Sequence, residues 1–460
     1  MHSNSDTIAA VATPPGEGGV GIIRISGEKS RVIADKIFVA QKDSFSGFKP
    51  YVLHYGEVLD SANTVLDDVL VAFMPGPNSF TGEDVIEINC HGGQAVLTAV
   101  LEEILALGAR MARAGEFSLR AYLNGRLDLT QAEAIAEIIH APSKAAMQLA
   151  QVKRSGLLGQ KIMDLRKRLE HLRAQLCVAV DFPEDELECL DPQILLTTVS
   201  EVQQEIKVLL SGVERTRAWR EGAMAVLLGR VNAGKSSLMN GLLGKNRAIV
   251  TDIPGTTRDY LEETLYLDGL NVRLVDTAGL RETDDAVEKA GLIMSRELSE
   301  QADVVLFVHD MSREFTEEDR EAVELLEVER SLAVLNKIDL DESAGLARDI
   351  FKNKGIECVE ISAKFGDGLD ALADKVRERV LAGCTEPDPD ALVPNVRQAG
   401  ALRQASVELR GLTDDTEMGI PYDLLGVRLE AACNILAEIT GEITSQEVLN
   451  DIFDNFCVGK

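Results

Sequence analysis

The sequence predicts a multidomain α/β protein in which a discontinuous helical domain carries an inserted, doubly wound α/β domain with a mainly parallel sheet. Three changes of texture predict it. Short apolar runs punctuated by Gly and Pro fill the first ~120 residues, a pattern of α+β structure. Pro-poor stretches rich in Leu, Ala, Gln, Glu and Arg, apolar every three or four positions, follow to about Arg217 and return from Val396 to Phe456. Between them, strand-like runs alternate with helix-like segments, which implies βαβ units.

In the first region VGIIRIS, DVLVAFMP and DVIEINCHGG read as strands and Gln94–Leu107 as a helix. The inserted region offers the strands MAVLL, VRLV, DVVLFV, LAVL and CVEI, and GCTEPDPDALVP (383–394) marks its end. The expected boundaries are 1–120 for the N-terminal domain, 121–220 and 384–460 for the two parts of the helical domain, and 221–383 for the insert. Insertion is tolerated because the termini of a domain often lie close together.

The chain has 460 residues, with 47 Lys and Arg against 76 Asp and Glu, a formal charge of −29. That balance argues against coating nucleic acid by bulk electrostatics, DNA included, and leaves room for a local basic patch. Seven cysteines stand singly, without CxxC or metal-ligand spacing, as expected of a reducing cytoplasm. The N-terminus lacks a signal-peptide pattern, and no run approaches the ~18 apolar residues needed to span a bilayer, so no membrane role is expected.

Gly229-Arg230-Val231-Asn232-Ala233-Gly234-Lys235-Ser236 matches G-x-x-x-x-G-K-[ST] after the strand-like MAVLL and before the helical SSLMNGLLG. Backbone amides of Asn232, Ala233, Gly234, Ser236 and Ser237 can close around phosphate. Lys235 can neutralise β/γ oxygens, and the Ser236 hydroxyl can ligate Mg²⁺. Asp276-Thr277-Ala278-Gly279 ends the strand VRLV, where a carboxylate can reach Mg²⁺ through water and the Gly279 amide the γ-phosphate. Asn336-Lys337-Ile338-Asp339 ends LAVL, and Ser362-Ala363-Lys364 follows CVEI. All fall at the carboxyl ends of strands, where doubly wound sheets bind ligands. Asp339 can accept from the N1–H and exocyclic amine of guanine, a donor pair adenine lacks, so the nucleotide is GTP and the insert reads as a Ras-like P-loop G domain.

Thr251-Asp252-Ile253-Pro254-Gly255-Thr256-Thr257 occupies the position of a switch loop, with Thr257 as its Mg²⁺ ligand. Leu280 stands where Ras-like GTPases place the Gln that orients water, so water positioning must come from another group, among them the acids of Arg281–Glu288. No arginine finger is evident. Asn232, with oxygens of the Thr251–Thr257 loop, could hold a monovalent cation beside the phosphates.

NAGKSSL, TDIPGTTRD, DTAGLRE and the terminal FCVGK, together with HGG, GEFSLRA and NGRLDLTQAEA upstream, closely resemble the MnmE (TrmE) family of tRNA modification GTPases over essentially the whole chain. The resemblance implies an N-terminal domain that binds tetrahydrofolate (5,10-methylene or 5-formyl) and dimerises. It implies a G domain whose K⁺-dependent dimerisation activates hydrolysis. It also implies a flavoprotein partner, MnmG (GidA), in an α2β2 heterotetramer that modifies C5 of the tRNA wobble uridine. Carried over by motif position, Asn232, Thr251, Ile253 and Thr256 would ligate K⁺, Ser236 and Thr257 Mg²⁺, and Glu288 would position water. Folate contacts would fall on Arg24, Glu87, Arg126 and Lys460; many relatives have Lys at Arg126. Cys457 becomes a candidate residue of the modification site.

The residues themselves say less. Gly16–Gly21 precedes a strand, the reverse of a dinucleotide fingerprint. Arg24 and Glu87 could be outward strand residues. Cys-Val-Gly-Lys is a poor prenylation signal, because Lys460 ends it and Gly459 is not aliphatic. Lys153, Arg154, Lys161, Arg166, Lys167, Arg168 and Arg173 form a basic helical strip that could meet tRNA phosphates or be a solvated face. The competing class is an assembly GTPase with an RNA-binding module. The helical tail ending in FCVGK contains no KH-type GxxG clamp.

Overall fold

The computed structural model describes residues 6–42, 44–181, 191–246, 261–276, 298, 301–340 and 344–460. The chain divides into two compact units, one of residues 1–136, 153–206 and 396–460, the other of 137–152 and 207–395. Among the described residues no helix is long and apolar enough to cross a membrane.

The first unit contains β1 (Ile8–Val11), β2 (Gly18–Ser26), α1 (Ser30–Ile37), β3 (Phe38–Ala40), β4 (Leu53–Leu59), β5 (Val65–Met74), β6 (Val85–Gly92), α2 (Gln94–Ala106), β7 (Arg110–Met111) and α3 (Glu116–Leu123). The strands form one sheet in the order β3-β4-β5-β6-β2-β1-β7, antiparallel except for the β1–β7 pair. Alternation fixes its faces. Ile23, Ile25, Ile86 and Ile88 point to a core shared with Ile33 of α1 and Val100 and Ile104 of α2. Arg24 and Glu87, between those isoleucines, therefore project from the opposite face.

α4 (Leu129–His140), α5 (Lys144–Arg154), α6 (Leu157–Asp181) and α7 (Pro192–Arg215) follow, and Val396–Glu417, Tyr422–Thr440 and Gln446–Asp454 return as helices. Along α6, Leu158, Ile162, Leu165, Leu169, Leu172 and Leu176 are buried at helical spacing, and the helix Tyr422–Thr440 packs along it. The basic strip on α6 is largely neutralised. Lys161 and Arg168 pair with Glu205, Arg166 with Glu170 and Glu442, and Arg173 with Glu430. Lys153 is buried. Of the seven residues expected to form the strip, four, all on α6, therefore have carboxylate partners.

In the second unit α8 (Arg217–Glu221) leads into β8 (Ala223–Leu228), and α9 (Lys235–Asn246), β9 (Leu261–Leu267), β10 (Leu270–Asp276), β11 (Val304–Asp310), β12 (Ser331–Asn336) and β13 (Glu357–Ile361) follow. The sheet order is β13-β12-β11-β8-β10-β9, parallel throughout except for edge strand β9. β9 was not among the expected strands. It is joined to β10 through Asp268-Gly269, both at positive φ (46° and 89°), a hairpin turn of the type the Asp-Gly pair favours. The central strands are buried on both faces. Leu227, Leu274, Leu306 and Val334 pack to one side, and Val226, Val275, Val305 and Leu335 to the other.

Candidate functional site

The P-loop leaves β8 at Gly229 and is pressed against two neighbouring strands. Gly229 has φ +134°, and a Cβ there would lie 2.2 Å from the Val308 carbonyl oxygen. Gly234, at φ +97°, would bring its Cβ to 2.2 Å from Asn336 Nδ2. Only glycine fits either place. Asn232 between them is also left-handed, at φ 64°. Lys235 is buried, and its Nζ donates to the Gly229 and Arg230 carbonyls at 2.8 and 2.9 Å, closing the loop on itself.

β10 runs parallel to β8 and delivers Asp276, fully buried, beside the start of α9. The Ser236 hydroxyl donates to Asp276 Oδ2 at 3.0 Å. This pair of hard oxygens suits Mg²⁺, which binds few protein ligands and keeps substrate phosphates and water for the rest. Among the described residues, no cluster of three or more His, Cys, Asp or Glu is placed to hold a metal.

The residues expected to recognise the base are assembled by β12 and the turn after β13. Asn336 donates to the Ala233 carbonyl at 2.9 Å, and its Oδ1 accepts from the amides of Lys337 and Ala363. Ser362 donates to Asp339 Oδ1 at 2.6 Å, orienting a carboxylate that is otherwise exposed. Lys337 donates to the Asn232 carbonyl and to Asp310 Oδ2 at 3.0 and 2.6 Å. Burial pushes the Asp310 carboxyl up, and hydrogen bonds from Lys337 and Ser312 outweigh it and hold its pKa below the ordinary carboxylate range. Lys364 lies over the exposed Phe365 ring, 5.1 Å from its centroid. Ser237 is exposed on the first turn of α9. Thr251, Asp252, Ile253, Pro254, Gly255, Thr256, Thr257, Thr277, Ala278, Gly279 and Glu288 lie outside the described residues.

A second constellation lies in the N-terminal unit. Arg24 and Glu87 are directly opposed across β2 and β6, and Arg24 Nε and Nη2 meet Glu87 Oε1 at 2.8 and 2.7 Å. The pair is half-buried rather than freely solvated, unlike two independent outward strand residues. Phe80 and Phe117 each place a ring centroid 5.7 Å from the Arg24 guanidinium carbon. Arg24 Nη1 also donates to the Gly459 carbonyl at 3.0 Å, although 435 positions separate them. The tail is held there by an antiparallel bridge between Ala114 and Val458 and by the Gly115 amide, which donates to the Cys457 carbonyl. Gly459 has φ +92°, and a Cβ on it would stand 2.4 Å from the Val11 carbonyl oxygen.

Of the four residues expected to contact folate, Arg24 and Glu87 are joined directly, and Lys460 follows the residue that Arg24 holds. Arg126 is exposed, and its stem lies beside Gly82. Cys457 is exposed, with a free thiol. Sequence reasoning missed Phe80, Phe117 and Gly459. Phe117 sits inside the GEFSLRA motif, and only the tertiary placement of α3 reveals its partner. Beside it Arg120 is almost fully buried and reaches Asp6, Glu83 and Glu116. Arg110 joins the same acids, Asp6 and Glu116, at 2.8 and 2.6 Å.

A family model described as the MnmE helical domain matches residues 129–457, and one described as the GTP-binding protein TrmE N-terminus matches residues 7–126. The chain is 52% identical over 459 residues to a tRNA modification GTPase MnmE of Nitratidesulfovibrio vulgaris (strain DP4), covering 99% of this chain and 100% of that one. It is 46% identical to the protein of that name from Lawsonia intracellularis, with the same coverage, and 42% identical to that of Clostridioides difficile, covering 99% of each chain. The chain belongs to the MnmE (TrmE) family of tRNA modification GTPases.

Proposed function

We propose that this protein hydrolyses GTP to drive modification of the tRNA wobble uridine at C5, with the FAD-dependent partner MnmG (GidA) and a folate one-carbon unit. The observation that carries the reading beyond a plain GTPase is the bond from Arg24 to the Gly459 carbonyl. It ties the C-terminal tail, with Cys457, to a half-buried ion pair of the N-terminal unit, an arrangement that hydrolysis alone does not require. The polar edge of a pterin is a donor and acceptor array that a paired guanidinium and carboxylate suit. Arg126 and Lys460 would add positive charge for the carboxylates of the ligand.

In the G domain (221–383) Lys235 would offset negative charge on the β- and γ-phosphates, Ser236 and Thr257 would ligate Mg²⁺ with Asp276 reaching it through water, and Asn336 and Asp339 would select guanine. Bound Mg²⁺ supplies charge stabilisation at the β- and γ-oxygens. Asn232, Thr251, Ile253 and Thr256 would hold K⁺, and Glu288 would orient water. The helical parts (121–220, 384–460) join this domain to the N-terminal one (1–120). Dimerisation is supported by Val39, Leu53, Tyr55 and Leu70, all exposed on neighbouring strands β3–β5 and on the face that carries Glu87.

Nucleoside mass spectrometry of tRNA from a deletion strain tests the proposal; unmodified wobble uridines are expected, and an unchanged profile sinks it. Exchanging K⁺ for Na⁺ should strongly slow GTP turnover, and equal rates would remove the potassium site.

A further inference from the structure

The P-loop is fastened on one flank by the bond from Lys337 to the Asn232 carbonyl. Its other flank, at Arg230 and Val231, has little packed behind it. A cavity of about 260 Å³ lies there, lined by Val231, Ala233, His309, Asp310, Thr316 and Asp319 among others. Across it reaches Arg230, which donates from Nη1 to Thr316 Oγ1 at 3.0 Å and from Nη2 to Glu318 Oε2 at 2.6 Å. Thr316 is the N-cap of the helix Glu317–Glu324, locked in a reciprocal capping box with Asp319. The far anchor is therefore rigid.

We infer that Arg230 is a positioning residue that braces the entrance of the P-loop against this helix and so slows release of bound nucleotide. The inference rests on the GTPase reading. Arg230 acts through its backbone, because its carbonyl is one of the two that hold Lys235 Nζ. Phosphate binding requires the loop's amides to converge on one point, and where an open groove takes the place of packed side chains, side-chain bonds restrict the loop. The guanidinium suits this task because its fork reaches a hydroxyl and a carboxylate together, which an ammonium cannot do with the same geometry.

The test is stopped-flow release of a fluorescent GDP analogue from the full-length protein in Mg²⁺ buffer. Arg230→Ala and Glu318→Ala are each expected to speed release about 3- to 10-fold, the scale of a half-exposed charged pair plus one hydrogen bond. The double variant should be no faster than Arg230→Ala, and Arg230→Lys should fall between it and wild type. Raising the salt concentration should speed wild-type release and leave Arg230→Ala unmoved. Glu318 is exposed and outside the nucleotide site, so Glu318→Ala decides the matter if Arg230→Ala fails to fold. Release at the wild-type rate from Glu318→Ala, or additive effects in the double variant, overturns the brace. Failure of the wild-type protein to bind the analogue overturns the GTPase reading instead.

Discussion

Replacing Gly459 by Ala perturbs the tail where it meets the N-terminal unit. A left-handed backbone costs a non-glycine residue roughly 1–2 kcal/mol. The added methyl would also stand 2.4 Å from the Val11 carbonyl oxygen and 2.7 Å from Ala12 Cα, a backbone clash that flexible side chains cannot relieve. Overpacking of that kind costs about 1–3 kcal/mol, so the combined penalty is about 2–5 kcal/mol. Against it stand the charge-assisted bond from Arg24, worth about 1.5–3 kcal/mol, and the Gly115–Cys457 backbone bond, worth about 0.5–1.5 kcal/mol. The penalty matches the holding energy, so the last four residues should undock while Phe456, buried against Phe453, stays in place. Carboxypeptidase digestion followed by intact-mass measurement reads this out. Wild type should resist trimming, and Gly459→Ala should be cut back to Phe456 at least ~30-fold faster, the lower end of that range. Val458→Ala, at a half-exposed side chain, should trim like wild type. Equal trimming of Gly459→Ala and wild type would show that the tail is not held in this register.

Glu288→Ala should retain GTP binding and lose hydrolysis by roughly 10²- to 10⁴-fold in single-turnover assays, the usual scale for a group that positions or activates water. Retained hydrolysis would assign that role elsewhere. Asp339→Asn should weaken GTP binding by at least ~10-fold in fluorescence titration, because the carboxylate that accepts from guanine is replaced by a group that also donates. Acid should destabilise the N-terminal unit. Asp6 lies below the usual carboxylate range through its hydrogen bond to Arg110, and Glu116 does so because Arg110 and the Arg113 amide override the upward push of burial. With folded pKa values depressed, their stabilisation is present above about pH 4.5 and is lost as pH falls further. Urea midpoints between pH 7 and pH 3 should drop less in Asp6→Asn and Glu116→Gln than in wild type.

The nucleotide site was legible because its chemistry is local. Each motif ends a strand, and strands buried on both faces read as apolar runs, so the placement of Ser236 near Asp276 follows from parallel neighbours β8 and β10. Edge strand β9 was missed because LEETLYL carries two adjacent acids near its start rather than an apolar run, in a region expected to be parallel, although Asp268-Gly269 signalled its hairpin. In the N-terminal unit family resemblance pointed to Arg24 and Glu87 but not to Phe117 or Gly459, which share no sequence neighbourhood with Arg24 and meet it by tertiary contact alone. The basic strip was read with its neighbours out of view: of its seven cations, Lys161, Arg166, Arg168 and Arg173 on α6 find carboxylate partners at Glu205, Glu170, Glu442 and Glu430. A basic stripe predicts a phosphate contact only when the helices packed beside it lack acids in register. With Glu205 on α7, Glu430 on the helix Tyr422–Thr440 and Glu442 just after it already paired, phosphate contact by Lys161, Arg166, Arg168 or Arg173 would have to compete with existing ion pairs.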